Sequence, residues 1–428
     1  MPTPSLILVP ARFKTGKLYT PVATTSGGVV LGASGDFNVT RATTATRVNA
    51  SGNIEVVASG IPRLDYFASG GVVGCPALLV EPQAQNIMAQ SETLSVSGNW
   101  ARTNVLVSGG AIASPDGLAS GTLIVATSGS NTHWIERNAA TTVTSGTAVT
   151  TSCFFKAHGT NTFAQLVIGN IGFSPASPFA NFNLTGSGSV TAGNYTSAFI
   201  QNYGNGWYRC GFTTTAAGNG TAGINICPIL ASGTGRATTF TGDGVNGVYA
   251  WGAQVETGSV ATSYIPTTTA AVTRNADVIN VSTASGCIGQ TEGTIYAELD
   301  FSRAIASIAI ILGNTSNENF RIRKAANFSV VVQAVNTPSG TVTLLSSPAA
   351  SAGIYKVAFG YKNGDYAMSI NGAAVLTSPN SANFPVNGLN VISLGETIGG
   401  VPYFNDRIRA VALYTTRLTN AQLQALTT

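Results

Sequence analysis

The sequence predicts an all-β protein built from tandem antiparallel β-sandwiches of the jelly-roll kind, and three observations carry that reading. Only 9% of the 428 residues are charged while 44% are hydrophobic, so the solvated surface must come mainly from Ser, Thr, Asn and Gly. These residues disfavour helices. Ser, Thr and Asn compete for helical hydrogen bonds, and glycine, present 49 times, has no side chain to pack there. Finally, short β-prone runs recur between clusters of Gly, Ser, Asn and Pro, which is the spacing of a β-sandwich.

At this length the size prior gives two or three domains, each able to bury a core. The net charge is +4, from 21 basic and 17 acidic residues, and no Lys or Arg run interleaves with aromatics, so no nucleic-acid partner is expected. No stretch approaches the ~20 apolar residues of a membrane helix, so no membrane insertion is expected. Met1-Pro2-Thr3-Pro4-Ser5 lacks the basic and apolar regions of a secretory signal. The cysteines Cys75, Cys153, Cys210, Cys227 and Cys287 are odd in number and widely spaced, without CxxC pairs. They are expected to be buried free thiols of a reducing cytosol, not a zinc site or a disulfide framework. No metal or cofactor is expected.

Residues 1–90 begin with an apolar strand, Leu6-Ile7-Leu8-Val9, and pass through Ser26-Gly27-Gly28. In the run from Arg47 to Val57, two β-prone stretches flank Asn49-Ala50-Ser51-Gly52-Asn53, whose residues tolerate the positive φ of a hairpin turn. No hydrophobic period long enough for an independent core precedes Leu78-Leu79-Val80, so residues 1–90 read as an attachment or assembly segment. From 91 to 266, strands are expected at Gly121 to Thr127, Thr151 to Lys156, Phe163 to Ile168, Trp207 to Thr213 and Gly247 to Glu256, forming a jelly roll.

A linker, Thr267-Thr268-Thr269-Ala270-Ala271, precedes a further sandwich over 275–428. There Ile295, Ala297, Leu299 and Phe301 alternate with Tyr296, Glu298 and Asp300. Tyr355 to Tyr361 and Tyr366 to Ile370 flank Asn363-Gly364, a strong hairpin signal, and Asn371-Gly372 extends the pattern to a meander. The one expected helix is terminal: Thr419 and Gln422 form a capping box, with Leu418 and Leu423 as a hydrophobic staple.

All four tryptophans lie between Trp100 and Trp251, and strand alternation sorts those near the ends of strands. Tyr249, Trp251, Ala253 and Val255 share an apolar face, which puts Trp251 in the core. Tyr208, Cys210 and Phe212 form another apolar face, leaving Trp207 and Arg209 on the polar side. An exposed indole with a donor beside it suits a pyranose ring. Trp134 likewise alternates onto a polar face with Thr132 and Glu136, beside His133 in sequence. The candidate ligand-binding residues are therefore Trp207, Arg209, Trp134 and Glu136. The alternative for both tryptophans is cover for a sandwich edge or an oligomer contact.

Catalysis is not expected. Glu298-Leu299-Asp300-Phe301 resembles the start of the acidic strand motif of laminarinase-like hydrolases, but Ser302 and Arg303 stand where its second glutamate would follow. A glycosidase needs two carboxylates flanking the bond. His133 and His158 are the only histidines, and no nucleophile elbow, His-x-x-x-His pair or EF-hand-type calcium loop occurs. Near the N-terminus Arg12, Lys14 and Lys17 could meet an acidic docking surface or simply be solvated.

Several phrases are similar to those of bacteriophage virion proteins: Arg47-Val48-Asn49, Pro62-Arg63-Leu64-Asp65-Tyr66, the run from Leu79 to Asn86, Asn205-Gly206-Trp207-Tyr208-Arg209, the run from Trp251 to Glu256, and Ser263-Tyr264-Ile265-Pro266. The group comprises tail-fibre, head-fibre and minor structural proteins with carbohydrate-binding-module-like jelly rolls. Residues 275–428, with the terminal helix, resemble concanavalin A-like (laminin G-like) domains. The resemblance implies a component of the virion surface, on head or tail, made in the cytoplasm of a bacterial host. It also implies a homo-oligomer such as a trimer, joined to other virion proteins through residues 1–90 and to host-surface carbohydrate. Such a protein would act as a fibre or surface decoration binding glycans, as decoration without a ligand, or as a polysaccharide depolymerase.

Overall fold

The computed structural model describes residues 2–20, 22–23, 29–30, 35–67, 74–336, 340–381, 384–385, 388–396 and 404–428; the stretch Ser26-Gly27-Gly28 lies outside them. Among the described residues almost all regular structure is antiparallel strand, with one short 3-10 turn and one α-helix, Asn420–Thr427. The helix is held at its start as its residues require: Thr419 caps the backbone of Gln422, whose side chain caps Thr419 in return, and Leu418 and Leu423 are buried together.

The inner sandwich packs a seven-stranded sheet, built around Ala148–His158, Trp207–Ala216 and Gly247–Thr257, onto a six-stranded sheet. The six-stranded sheet runs in the order Ala101–Thr103, Trp134–Asn138, Gly223–Ile229, Phe163–Gly169, Phe179–Asn183, Ser189–Asn194. Between them lie Trp100, Ile135, Cys153, Phe155, Leu166, Phe182 and Phe212. In the outer sandwich an eight-stranded sheet centred on Glu292–Phe301 and Asp406–Tyr414 faces a nine-stranded sheet through Val278–Val281 and Ser307–Thr315. Ile295, Ala297, Leu299 and Phe301 all point into this second core, as their alternation requires.

Residues 1–90 do not form a separate structural unit. Leu6–Leu8 pairs with Asp406–Tyr414, Phe37–Thr40 with Val278–Val281, and Ala77–Val80 again with Asp406–Tyr414. Leu6, Leu8, Leu18, Phe37, Leu64 and Leu78 accordingly share the core of the C-terminal strands. The reason is arithmetic of apolar surface: these short strands cannot enclose a core alone, but they complete sheets that 275–428 leaves open. The inner sandwich is thus an insertion. Its entry, Ala84–Asn86, and its exit, Val272–Arg274, pair with each other in a two-stranded ladder.

The expected hairpins form. Ala45–Val48 pairs with Ile54–Val57, and Gly353–Lys362 pairs with Tyr366–Ile370 across a turn in which Gly364 sits at φ 75°. One strand departs from simple alternation. Gly252 adopts φ 65°, and the register of Gly247–Thr257 against Ala148–His158 shifts between Ser152 and Phe154. This bulge reverses the facing of the strand. Val248 and Ala250 before it share the inner core with Ala253 and Val255 after it, while Trp251 turns to the other side of the sheet.

That other side is not solvent. Trp251, Trp207, Phe154 and Tyr264 pack there with Val48 and Ile54 of the hairpin formed by Ala45–Val48 and Ile54–Val57. Beside them runs a buried ionic lattice. Arg63 binds both Glu81, at 2.7 Å, and Asp277; Arg41 binds Asp277 at 2.9 Å; Arg274 reaches Glu81 at 3.4 Å. Ser263 donates backbone and side-chain hydrogen bonds to Glu81. Burial alone would raise the Glu81 carboxyl, but Arg63, Arg274 and Arg303 override it and hold the group well below its usual range.

Replacing Arg63 by Met leaves two buried carboxylates facing each other and should cost about 3–5 kcal/mol, read as a lower urea midpoint. Because the Glu81 carboxyl is depressed in the folded protein, its contribution is complete above the unfolded glutamate range. It should fade as pH falls below about 4. Thermal melts whose midpoint stays constant between pH 6 and 3 would contradict that assignment.

All five cysteines are free, Cys75 exposed and the other four buried, with burial pushing the Cys153 thiol up to about 12. A thiol reagent at pH 8 should therefore modify one cysteine in the native protein and five after denaturation.

Candidate functional site

The four tryptophans have three different environments. Trp100 is enclosed in the inner core, its indole donating to the Gln90 carbonyl at 3.0 Å. Trp207 and Arg209 do share the face that alternation assigns them, but that face is covered: Trp207 is 3% exposed and Arg209 1%. Trp207 donates to the Ala113 carbonyl at 3.0 Å. Arg209 donates to the Thr262 carbonyl at 2.6 Å and to Ser152 at 3.1 Å, with its guanidinium over the Phe154 ring. A stacking plate for a sugar is therefore absent at Trp207 and Arg209. Their polar atoms are spent on groups of the inner sandwich, while the Trp207 ring packs in the joint.

The phrases that resemble virion proteins converge on the same joint. The Val48 amide donates to the Asp65 carboxylate, which also binds Arg407 at 2.6 Å. Asn86 donates to the carbonyls of Ala253 and Ile265, and Gln254 accepts from the Ile265 amide. Burial raises the Glu256 carboxyl, against the pull of Arg209, and Glu256 accepts from the backbone and side chain of Thr262. Each of these short phrases supplies one half of a buried contact.

Trp134 is placed differently. It is half-buried on the outer face of the six-stranded sheet, against Phe163, Val167, Phe179, Cys227 and Ile229. Strand alternation brings Glu136 onto the same face, and the indole donates to Glu136 Oε2 at 3.0 Å. Asn225, opposite Glu136 on the neighbouring strand, donates to the same oxygen at 3.3 Å. Oε1 accepts no hydrogen bond from the described residues. His133 turns away from this face. It is buried, lies against Phe240 with ring centroids 4.4 Å apart, and bonds the Asn104 and Phe240 carbonyls.

Glu136 also borders a groove of about 610 Å³ with Ser97, Asn99, Arg137, Asn138 and Asn170. Arg137 donates to the Asn99 carbonyl, and the Asn138 and Asn170 amides bond each other at the exposed rim. The groove thus presents one carboxylate, one guanidinium and three amides. Such a set offers donors and acceptors to hydroxyl groups without a strong net field.

The rest of the sheet face is strapped. Gln165 and Asn181 bond each other at 2.7 Å and hold the loop of residues 232–237 through the carbonyls of Ser232, Thr234 and Gly235 and the amide of Ala237. This closes the middle of the face and leaves the Trp134 to Asn138 end open. Sequence reasoning names Trp134 and Glu136 but misses Asn99, Asn138, Asn170 and Asn225. Asparagines scattered over strands and loops far apart in sequence carry no signal until the strands are aligned. Glu298, on the outer sandwich, is occupied by Arg409 at 2.8 Å.

No protein-family model matches the chain, and no curated protein does either. Among solved structures the chain is similar to the CBM40 of the IT-sialidase of Ruminococcus gnavus, at 23% identity and a TM-score of 0.31 over 35% of this chain and 92% of that one. It is also similar to the leech intramolecular trans-sialidase, at 20% identity and a TM-score of 0.30 over 35% of this chain and 26% of that one. A third similarity is to the binding domain of botulinum neurotoxin DC, at 12% identity and a TM-score of 0.30 over 36% of this chain and 40% of that one.

The two classes of tryptophan should separate by stability. Trp207→Ala should cost about 3–5 kcal/mol, whereas Trp134→Ala, at a half-exposed site, should cost no more than about 2 kcal/mol, both read by urea unfolding. Equal losses would overturn the distinction.

Proposed function

We propose that the protein is a non-catalytic, glycan-binding component of a bacteriophage virion surface, a fibre or decoration protein, and that the groove beside Trp134 and Glu136 takes a neutral sugar. One observation carries the glycan reading: a half-buried indole, fixed by its own Nε1 bond to Glu136, shares a strand face with that carboxylate, which borders a groove whose remaining polar groups are amides and a guanidinium. A pyranose has an apolar face for the ring and hydroxyls for the rim. The virion reading rests on the sequence phrases that build the joint. Attachment to other virion proteins then belongs to the outer sandwich as a unit, since residues 1–90 are woven into it. Shallow sites of this kind gain useful strength through avidity, which a homo-oligomer such as a trimer would supply.

Decoration without a ligand is the second reading, favoured by the Glu136 carboxylate, which already accepts hydrogen bonds from Trp134 and Asn225. A glycan array separates the two. Binding of neutral glycans that falls at least tenfold in both Trp134→Ala and Asn138→Ala, with melting preserved, is the expected result. Complete absence of array signal would leave the decoration role. Release of reducing sugar from host polysaccharide, lost in Glu298→Gln, would instead establish a depolymerase.

A further inference from the structure

A second concavity lies where the two sandwiches meet. It is a cleft of about 480 Å³ walled on one side by Ser197, Phe199 and Thr215 of the inner sandwich and on the other by Arg303, Ala304 and Phe328 of the outer one. That volume falls within the range of small-molecule sites. Three features of its lining point to one ligand chemistry.

The first is charge. The connected lattice of buried ion pairs at the joint contains Arg41, Arg63, Arg274, Arg303 and Lys324 but only Glu81, Asp277 and Asp406. The three carboxylates are taken at short range by other groups: Glu81 and Asp277 by Arg63, and Asp406 by Lys324 and by Ser302. Arg303 reaches Glu81 only at 3.8 Å and Asp406 at 3.9 Å, and it is the lattice cation with the most exposed side chain, at 13%. Arg303 also donates to the Asn405 carbonyl at 2.7 Å and feels Asp300 at longer range, so the wall of the cleft carries a guanidinium with no carboxylate at short range. A guanidinium in that position favours a carboxylate, which its planar fork can bind through two parallel hydrogen bonds.

The second is an aromatic plate. Phe199 lies over Gly211, where an added Cβ would stand 2.5 Å from the ring, so only glycine lets the phenyl settle flat on the sheet. Phe199 is half-buried and borders the cleft. On the opposite wall Phe328 holds φ 61°, a left-handed conformation unfavourable for a bulky residue and concentrated at ligand sites. The third feature is a set of hydroxyls. Those of Ser197, Thr215 and Ser259 make no hydrogen bond with the described residues and border the same space.

We propose that this cleft binds a carboxylated sugar, its carboxylate on Arg303, one ring face on Phe199, and its hydroxyls on Ser197, Thr215 and Ser259. The site is independent of the Trp134 groove. A ligand there touches both sandwiches and so ties their relative placement to occupancy.

The test is calorimetric or NMR titration of the full chain with D-glucuronate, with D-glucose and acetate as controls. Saturable glucuronate binding is expected, with both controls at least tenfold weaker. Ala304→Trp, at an exposed position on the cleft wall, and Phe199→Ala should each weaken glucuronate at least tenfold, while Trp134→Ala leaves it unchanged. The two cleft variants act by opposite means, one filling space and one removing the plate. Misfolding of one, seen by melting, therefore leaves the other to decide. Absence of glucuronate binding, equal binding of glucose, or binding lost in Trp134→Ala but retained in the cleft variants would overturn the assignment. Failure of the Trp134 groove on a neutral-glycan array would not touch it.

Discussion

Arg63 stands at the point on which the architecture depends. Its guanidinium joins Glu81, on the strand that leaves the outer sandwich, to Asp277, on the segment that returns to it, and reaches Ser263 on the way. An inserted domain is connected to its host by two chain crossings, and with nothing else to hold them the two bodies would move freely. Here the crossings pair as strands and are then pinned by buried charges, with Arg41 and Arg274 completing the lattice. Such a lattice is expensive to desolvate, and its net worth is in specifying one arrangement more than in adding stability.

The same constraint explains why the most conspicuous residues are not the ligand-facing ones. A joint between two sheets needs large flat side chains, and Trp207, Trp251, Tyr264, Arg209 and Gln254 are all drawn into it. Two concavities remain open elsewhere. The Trp134 groove opens beyond the strap held by Gln165 and Asn181, and the cleft at Arg303 opens where the two bodies diverge.

Much of the fold was legible in the chain. Alternation at Ile295 to Phe301, the Asn-Gly hairpins and the capping box at Thr419 are local signals, and local geometry fulfils them. Trp134 and Glu136 were legible for the same reason, since two residues apart on a strand means one face. Two readings failed for non-local reasons. The polar face of Trp207 and Arg209 was taken for a solvated one, because alternation tells which side a residue faces but not what covers that side. The bulge at Gly252 reversed the facing of Trp251, which a strict period of two cannot register.

The sequence by itself therefore determined the class of fold, the strands and turns, and the shared face of Trp134 and Glu136, because these follow from side-chain periodicity and backbone preference over a few residues. Only the tertiary structure decided that residues 1–90 complete the C-terminal sandwich, that Arg63 finds Asp277 across 214 positions of chain, and that Asn99, Asn138 and Asn170 meet at one groove. Those outcomes depend on which apolar faces and buried charges must find partners across the whole chain. No local pattern records that requirement.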